Sequence, residues 1–94
     1  MSKERIVELL RRHKPLFARR FGVKRMGLFG SVARGSADSA GDVDIAVEMP
    51  SDFEKFFDLK YELQRLLGKE VDLVNFKNLR PFIRRKIADE IIYI

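Results

Sequence analysis

Two aspartates, Asp42 and Asp44, occupy alternate positions in a segment whose intervening residues are apolar. In a β-strand this spacing places both side chains on one face, with Cα atoms about 6.6 Å apart, twice the rise per residue. Because paired metals in phosphoryl-transfer sites lie about 3.5–4 Å apart, two carboxylates that lean together can hold such a pair. A third acid, Asp72, stands in a second strand-like segment. The three acids therefore predict a divalent-metal site.

The type of metal follows from the donor atoms. Three carboxylates without a basic partner repel one another and raise each other's pKa, and a divalent cation removes that cost. An oxygen-only donor set favours Mg²⁺, with Mn²⁺ as the alternative, over zinc. The acids could instead be solvated strand residues, but Asp is depleted in strands and two stand here at alternate positions. We therefore expect Asp42, Asp44 and Asp72 to ligate two Mg²⁺ ions.

Gly30-Ser31 follows an apolar strand pattern and opens a short helical turn. The missing side chain lets a phosphate approach the backbone, and the Ser31 hydroxyl can donate to it. Alone this is a weak signal, because a Gly-Ser helix start is usually a cap. Gly30 and Gly35 have the spacing of a P-loop, but Ser36-Ala37 replaces the required Lys-Ser/Thr, which excludes that motif.

The hydrophobic pattern predicts the order helix, strand, loop, strand, helix, strand, helix. Strands are predicted at 23–29, 42–48 and 70–76, a loop at 36–41, and an edge strand in the apolar tail at 91–94. The expected architecture is an α/β fold with a mixed sheet of three to four strands and helices packed on one sheet face. We expect residues 1–94 to form one domain.

Capping residues predict the ends of the helices. The first helix is expected to begin after Ser2, to be kinked or divided at Pro15, and to end near Gly22. Ser51 and Glu54 predict a capping box for the next helix, which Gly68 ends. The last helix is expected to begin after Asn78.

Composition limits the class of protein. The 94 residues are 46% hydrophobic and include eight Phe, which provide bulky core material. No apolar run is long enough for a bilayer span, and no signal peptide is apparent. The absence of Cys excludes disulfides and thiolate sites, and favours a cytoplasmic location. The net charge of +5 suits anionic partners, although a solvated surface explains it equally well.

The chemistry-bearing residues resemble a known signature. Gly30-Ser31, ten further residues and Asp42-Val43-Asp44 resemble the signature of the DNA polymerase β-like nucleotidyltransferase superfamily. The segment LFGSVARG at 28–35 is similar to its minimal nucleotidyltransferase (MNT) branch, and VDLV at 71–74 resembles the segment with the third acid. The resemblance begins near residue 3. Gly41 departs from the pattern, in which Ser often precedes the first acid.

The resemblance implies a small nucleotidyltransferase fold and a role for each matching residue. Gly30 and Ser31 would bind the triphosphate, Asp42 and Asp44 would ligate both metals, and Asp72 would complete the site and help activate the attacking hydroxyl. Arg34 matches the pattern as well. Its role is open between a phosphate contact and a salt bridge on the helix surface.

The resemblance also implies a partner. Family members of this size are commonly antitoxins that pair with HEPN-domain ribonuclease toxins, and some transfer AMP from ATP to a toxin tyrosine. We therefore expect a protein adenylyltransferase that modifies a hydroxyl of a HEPN partner. The alternative is a non-catalytic antitoxin that acts by binding alone. Nucleic-acid binding through Arg11-Arg12, Arg19-Arg20, Lys24-Arg25 and Arg84-Arg85-Lys86 is less favoured, and a homo- or hetero-oligomeric state is left open.

Overall fold

A computed structural model describes residues 1–35 and 41–94. In chain order its elements are α1 (Lys3–Phe21), β1 (Arg25–Phe29), α2 (Gly30–Ala33), β2 (Val43–Glu48), α3 (Phe53–Leu67), β3 (Val71–Asn75), a 3₁₀ helix (Phe76–Asn78), α4 (Pro81–Ala88) and β4 (Ile92–Tyr93). The predicted α/β fold is confirmed. Of the predicted loop at 36–41, residues 36–40 lie outside the described residues, and Gly41 forms a bend.

The four strands form one mixed sheet in the order β3-β2-β1-β4. β1 is antiparallel to both β2 and β4, whereas β2 and β3 are parallel. A parallel pair needs a crossover connection, which α3 provides. The predicted edge strand in the tail is confirmed, because β4 pairs with β1 through Leu28 and Ile92.

Side-chain alternation in β2 separates the core from the opposite sheet face. Val43, Ile45 and Val47 are fully buried, whereas Asp44 and Glu48 are half-buried on the other face. The two long helices α1 and α3 contact each other and cover the apolar face. Their fully buried residues include Ile6, Leu10, Leu59 and Leu63.

The first helix begins and ends as predicted but is not divided. The Ser2 hydroxyl accepts the Arg5 N–H at 3.1 Å, and Gly22 ends the helix with φ of 72°. Pro15 lies inside one continuous helix, so the predicted second helix is wrong. Pro15 is on the exposed face, where water can satisfy the carbonyl that loses its N–H partner, while the buried Phe17 keeps the helix on the core.

Two predicted helix caps are wrong. Asp52, not Ser51, caps α3, because its side chain accepts the Lys55 N–H at 3.0 Å. α4 begins after Arg80 rather than Asn78, with Pro81 in the first turn, where a missing N–H costs nothing. Gly68 ends α3 as expected.

Not every Phe contributes to the core. Phe53 is 81% exposed and Phe82 is 62% exposed. Phe53 is the first residue of α3, and Phe82 belongs to α4, which buries only Ile87. Within the described ranges, no helix has both the length and the apolar character that a bilayer crossing requires.

Candidate active site

The strand register places two of the predicted acids next to each other. Asp44 of β2 pairs directly with Asp72 of β3 in the parallel ladder. Register partners in neighbouring parallel strands point to the same face of the sheet, and such strands lie about 4.8 Å apart. Asp42, the residue just before β2, is exposed and close enough to act electrostatically on Asp44. All three predicted acids therefore lie towards the same end of these two strands.

The surroundings of Asp44 disfavour the charged form of its carboxyl. Burial raises the pKa of its carboxyl above the ordinary value, and repulsion from Asp72 and then from Asp42 raises it further. The positive charge of Arg34 opposes this shift without cancelling it. A carboxyl in this position gains from any cation that approaches it.

The donor set fits a hard divalent cation, although the side chains are not converged around a single point. Among the described residues, no group of three or more Asp, Glu, His or Cys side chains lies close enough to hold a metal ion as it stands. Like charges favour side-chain rotamers that separate them until a cation neutralises them. The oxygen donors and the raised pKa of Asp44 are the features that suit Mg²⁺ or Mn²⁺.

Gly30 brings the backbone against Asp44. It follows β1 directly and has φ of 74°, a conformation that L side chains rarely adopt. A Cβ at this position would also overlap Oδ2 of Asp44. The sequence pattern attributed the missing side chain to the approach of a phosphate, whereas in the structure the Asp44 carboxylate already uses the space.

Ser31 lies beside the chain segment that leads into the acids. A Cβ built on Gly41 would stand 3.8 Å from the Ser31 Oγ. Gly41 immediately precedes Asp42, so the first helical turn and the approach to the first acid are neighbours in space. The contact joins two parts of the signature that ten residues separate in the chain.

Arg34 forms a salt bridge, and its partner, Glu90, was not predicted from the sequence. Its Nη1 donates to Oε2 of Glu90 at 2.7 Å, and the other oxygen of Glu90 accepts the Gly30 N–H at 3.1 Å. The hydrogen bond from Arg34 lowers the pKa of Glu90, and the Gly30 N–H lowers it further. Sequence reasoning missed Glu90. The signal that could have found it is the tail, since pairing of the tail with β1 brings residue 90 towards Gly30.

Several basic residues considered for nucleic-acid binding have acidic partners within the fold. Arg25 binds Glu48 at 2.7 Å, and Arg12 lies 3.5 Å from Glu8. These ion pairs favour the interpretation of a solvated, internally balanced surface over a dedicated phosphate-binding patch.

The sequence matches the model of the nucleotidyltransferase domain family over residues 10–94. It is similar to the protein adenylyltransferase MntA of Thermococcus cleftensis, with 40% identity over 97 residues that cover 100% of this chain and 97% of that protein. A solved structure of a minimal nucleotidyltransferase superimposes with a TM-score of 0.85 at 33% identity, and the match covers 98% of this chain and 95% of the other.

A more distant match is a structure of a tri-AMPylated Shewanella oneidensis HEPN toxin in complex with its MNT antitoxin. The TM-score is 0.61 at 24% identity, over 97% of this chain and 66% of the matched chain, and at this identity the likeness shows the fold alone. The family match spans β1, α2, β2 and β3 and includes the glycine–serine turn and all three acids. The chain belongs to the nucleotidyltransferase domain family.

Proposed function

We propose that this protein transfers AMP from ATP to a hydroxyl group of a partner protein, as the antitoxin of a HEPN/MNT toxin–antitoxin pair. The observation that carries the proposal is the pairing of Asp44 with Asp72 across neighbouring strands, with Asp44 against the Gly30 backbone. The adenylyltransferase name of the Thermococcus relative and the AMPylated toxin of the Shewanella complex support the choice of nucleotide and acceptor. ATP is available in the cytoplasm, where we expect the reaction.

Asp42, Asp44 and Asp72 are the residues that would hold Mg²⁺. When bound, Mg²⁺ neutralises triphosphate charge and lowers the pKa of an attacking hydroxyl. Asp44 is the central member, because its pKa responds to both of the other acids. The pairing of Asp44 with Asp72 places acids from two strands at the same level of the sheet.

The remaining residues would position the nucleotide. Gly30 and Ser31 would bind its phosphates at the start of α2, and Arg34 would supply a positive charge to the same group. Asp72, the most exposed of the strand acids, would accept the proton of the attacking hydroxyl. The hydroxyl oxygen forms a bond to the α-phosphorus, the bond to the bridging oxygen breaks, and pyrophosphate leaves.

The acceptor would be presented by the partner. α4 leaves Phe82 and Ile83 exposed beside the basic Arg84 and Arg85, a surface that suits an apolar and acidic protein. Its last turn leads to Glu90 and so to the candidate site. A partner that covers the whole length of α4 would therefore reach the candidate site through the Glu90 end of this helix.

The test uses the purified protein, ATP labelled at the α-phosphate, Mg²⁺ or Mn²⁺, and the HEPN-domain protein encoded beside it. We expect label to appear on the partner with the wild-type chain, and neither transfer nor neutralisation of the partner with Asp42→Asn. Absence of transfer with both metals would overturn the proposal. Neutralisation that survives Asp42→Asn would instead support the non-catalytic antitoxin.

A further inference from the structure

A single carboxylate joins the end of α4 to both ends of the short helix α2. Oε1 of Glu90 accepts the N–H of Gly30, the first residue of α2, at 3.1 Å. Oε2 accepts a guanidinium N–H of Arg34, the residue that follows α2, at 2.7 Å. The Glu90 side chain is 26% exposed, whereas that of Arg34 is 55% exposed. Glu90 is therefore the more enclosed member of the pair.

The position of Glu90 is set by the sheet. β4 pairs antiparallel with β1, with Leu28 opposite Ile92. Two residues forward from Leu28 and two residues back from Ile92, the same register would bring Gly30 opposite residue 90, which precedes the first residue of β4. If β4 were longer, a backbone carbonyl of that strand would accept the Gly30 N–H. Here the Glu90 side chain accepts it instead. The Ile91 N–H is bonded to the Ile87 carbonyl at 2.9 Å, which ties this point to the end of α4.

We infer that Glu90 is a positioning residue. Its carboxylate is an internal anion that binds Arg34 and competes with a nucleotide phosphate for that arginine. The inference rests on the proposed function. A carboxylate and a phosphate both accept charge-assisted hydrogen bonds from a guanidinium, so a phosphate oxygen can take the place of Oε2 of Glu90 on Arg34. Arg34 also acts electrostatically on Asp44, which places its charge within range of the acids.

Competition and a purely structural role predict opposite changes in nucleotide affinity when Glu90 is replaced. If Glu90 only stabilised the turn, its replacement would loosen Gly30 and weaken nucleotide binding. If it competes, removal of its charge frees Arg34 and also removes one negative charge near Asp44, so that an anionic ligand binds more tightly. Because a partly exposed ion pair is weak, the gain is about two- to tenfold in affinity.

The test measures the dissociation constant of ATP with Mg²⁺ by calorimetry for the wild type and Glu90→Gln. The Gln side chain keeps an oxygen that can accept the Gly30 N–H while it loses the charge. We expect two- to tenfold tighter binding. Glu48→Gln is the matched control, since it removes the same charge from an arginine pair of the same 2.7 Å length, and it should leave the affinity unchanged.

A double variant identifies Arg34 as the residue through which Glu90 acts. Glu90→Gln should give no gain in a chain that already carries Arg34→Gln. Equal or weaker binding by the single Glu90→Gln variant would overturn the inference, as would a gain that persists without Arg34. Should Glu90→Gln fail to fold, Glu90→Ala removes both the charge and the acceptor for the Gly30 N–H. Tighter ATP binding by Glu90→Ala would support the competition, and weaker binding would contradict it. If the wild-type chain binds no ATP, the proposed function fails and this inference fails with it. If the wild type binds ATP but Glu90→Gln shows no gain, only this inference fails.

Discussion

The carboxylates at the two ends of β2 have opposite electrostatic surroundings. At one end Glu48 binds Arg25 at 2.7 Å, and the Arg25 guanidinium also lies 5.3 Å from the centre of the Phe76 ring. At the other end, on the same face of the sheet, Asp44 stands opposite Asp72. The first carboxylate is neutralised within the chain, and the pKa of the second is raised by burial and then by its acidic neighbours. Only the second has much to gain from a cation supplied from outside.

The arginine that acts on Asp44 reinforces this difference. Arg34 reaches Asp44 electrostatically, but its short hydrogen bond is to Glu90. Part of its charge is therefore already balanced. Among the described residues, three acids (Asp72, Asp42 and Glu90) thus act electrostatically on Asp44, although the chain has a net charge of +5. A metal site requires such a set of acids, whereas an ordinary surface strand does not.

Among substitutions that test the difference between the two ends of β2, the largest expected effect is on activity. Asp44→Asn should lower AMP transfer to the partner about 10²- to 10³-fold, because a positioned charge at a reacting phosphate contributes on the order of 3–4 kcal/mol to the barrier. Glu48→Gln, at the neutralised end, should change the rate less than about twofold. Initial rates of label transfer at saturating ATP give the comparison. Similar losses in both variants would show that the two ends are not functionally distinct.

A smaller effect tests how closely Gly30 packs against Asp44. Gly30→Ala should lower the free energy of unfolding by about 1–3 kcal/mol, from left-handed strain together with the overlap with Asp44. Gly68→Ala is the matched control. Its φ of 64° is as strained, but no heavy atom lies within 4 Å of the added Cβ, so it should cost only about 1 kcal/mol. Urea denaturation of both variants measures the difference, and equal losses would contradict the close contact.

The smallest expected effect is on stability without metal. Asp44→Asn should raise the free energy of unfolding by about 0.5–1 kcal/mol at pH 7, because it removes like-charge repulsion at a partly exposed site. Since the folded-state pKa of Asp44 is raised, the stability that its protonated form contributes is complete below about pH 4 and is lost as the pH rises through the folded value. The advantage of the variant should therefore grow with pH above 4.

Thermal melts between pH 3 and 8 measure this advantage, and Glu48→Gln serves again as the control at the neutralised end. Added Mg²⁺ should stabilise the wild type more than Asp44→Asn, because the variant lacks a ligand. Equal shifts on addition of Mg²⁺ would count against a metal site at Asp44.

Local patterns predicted the elements well and their boundaries less well. The alternation from Val43 to Val47 defined β2, and Ser2 and Gly22 marked the ends of α1, because each depends on near neighbours in the chain. The division at Pro15 was wrong because the burial of Phe17, a tertiary effect, holds the helix in one piece. The exposure of Phe82 likewise depends on how little of α4 the sheet covers.

The sequence by itself determined which side chains can take part in chemistry: two acids at alternate positions of one strand, a third on another, and a glycine–serine turn. These follow from residue type and the two-residue period of a strand. Only the tertiary structure decided that Asp44 stands level with Asp72, that Gly30 is pressed against Asp44, and that Glu90 holds Arg34. Strand register and the docking of a chain end are set by contacts between residues far apart in sequence, which no local pattern encodes.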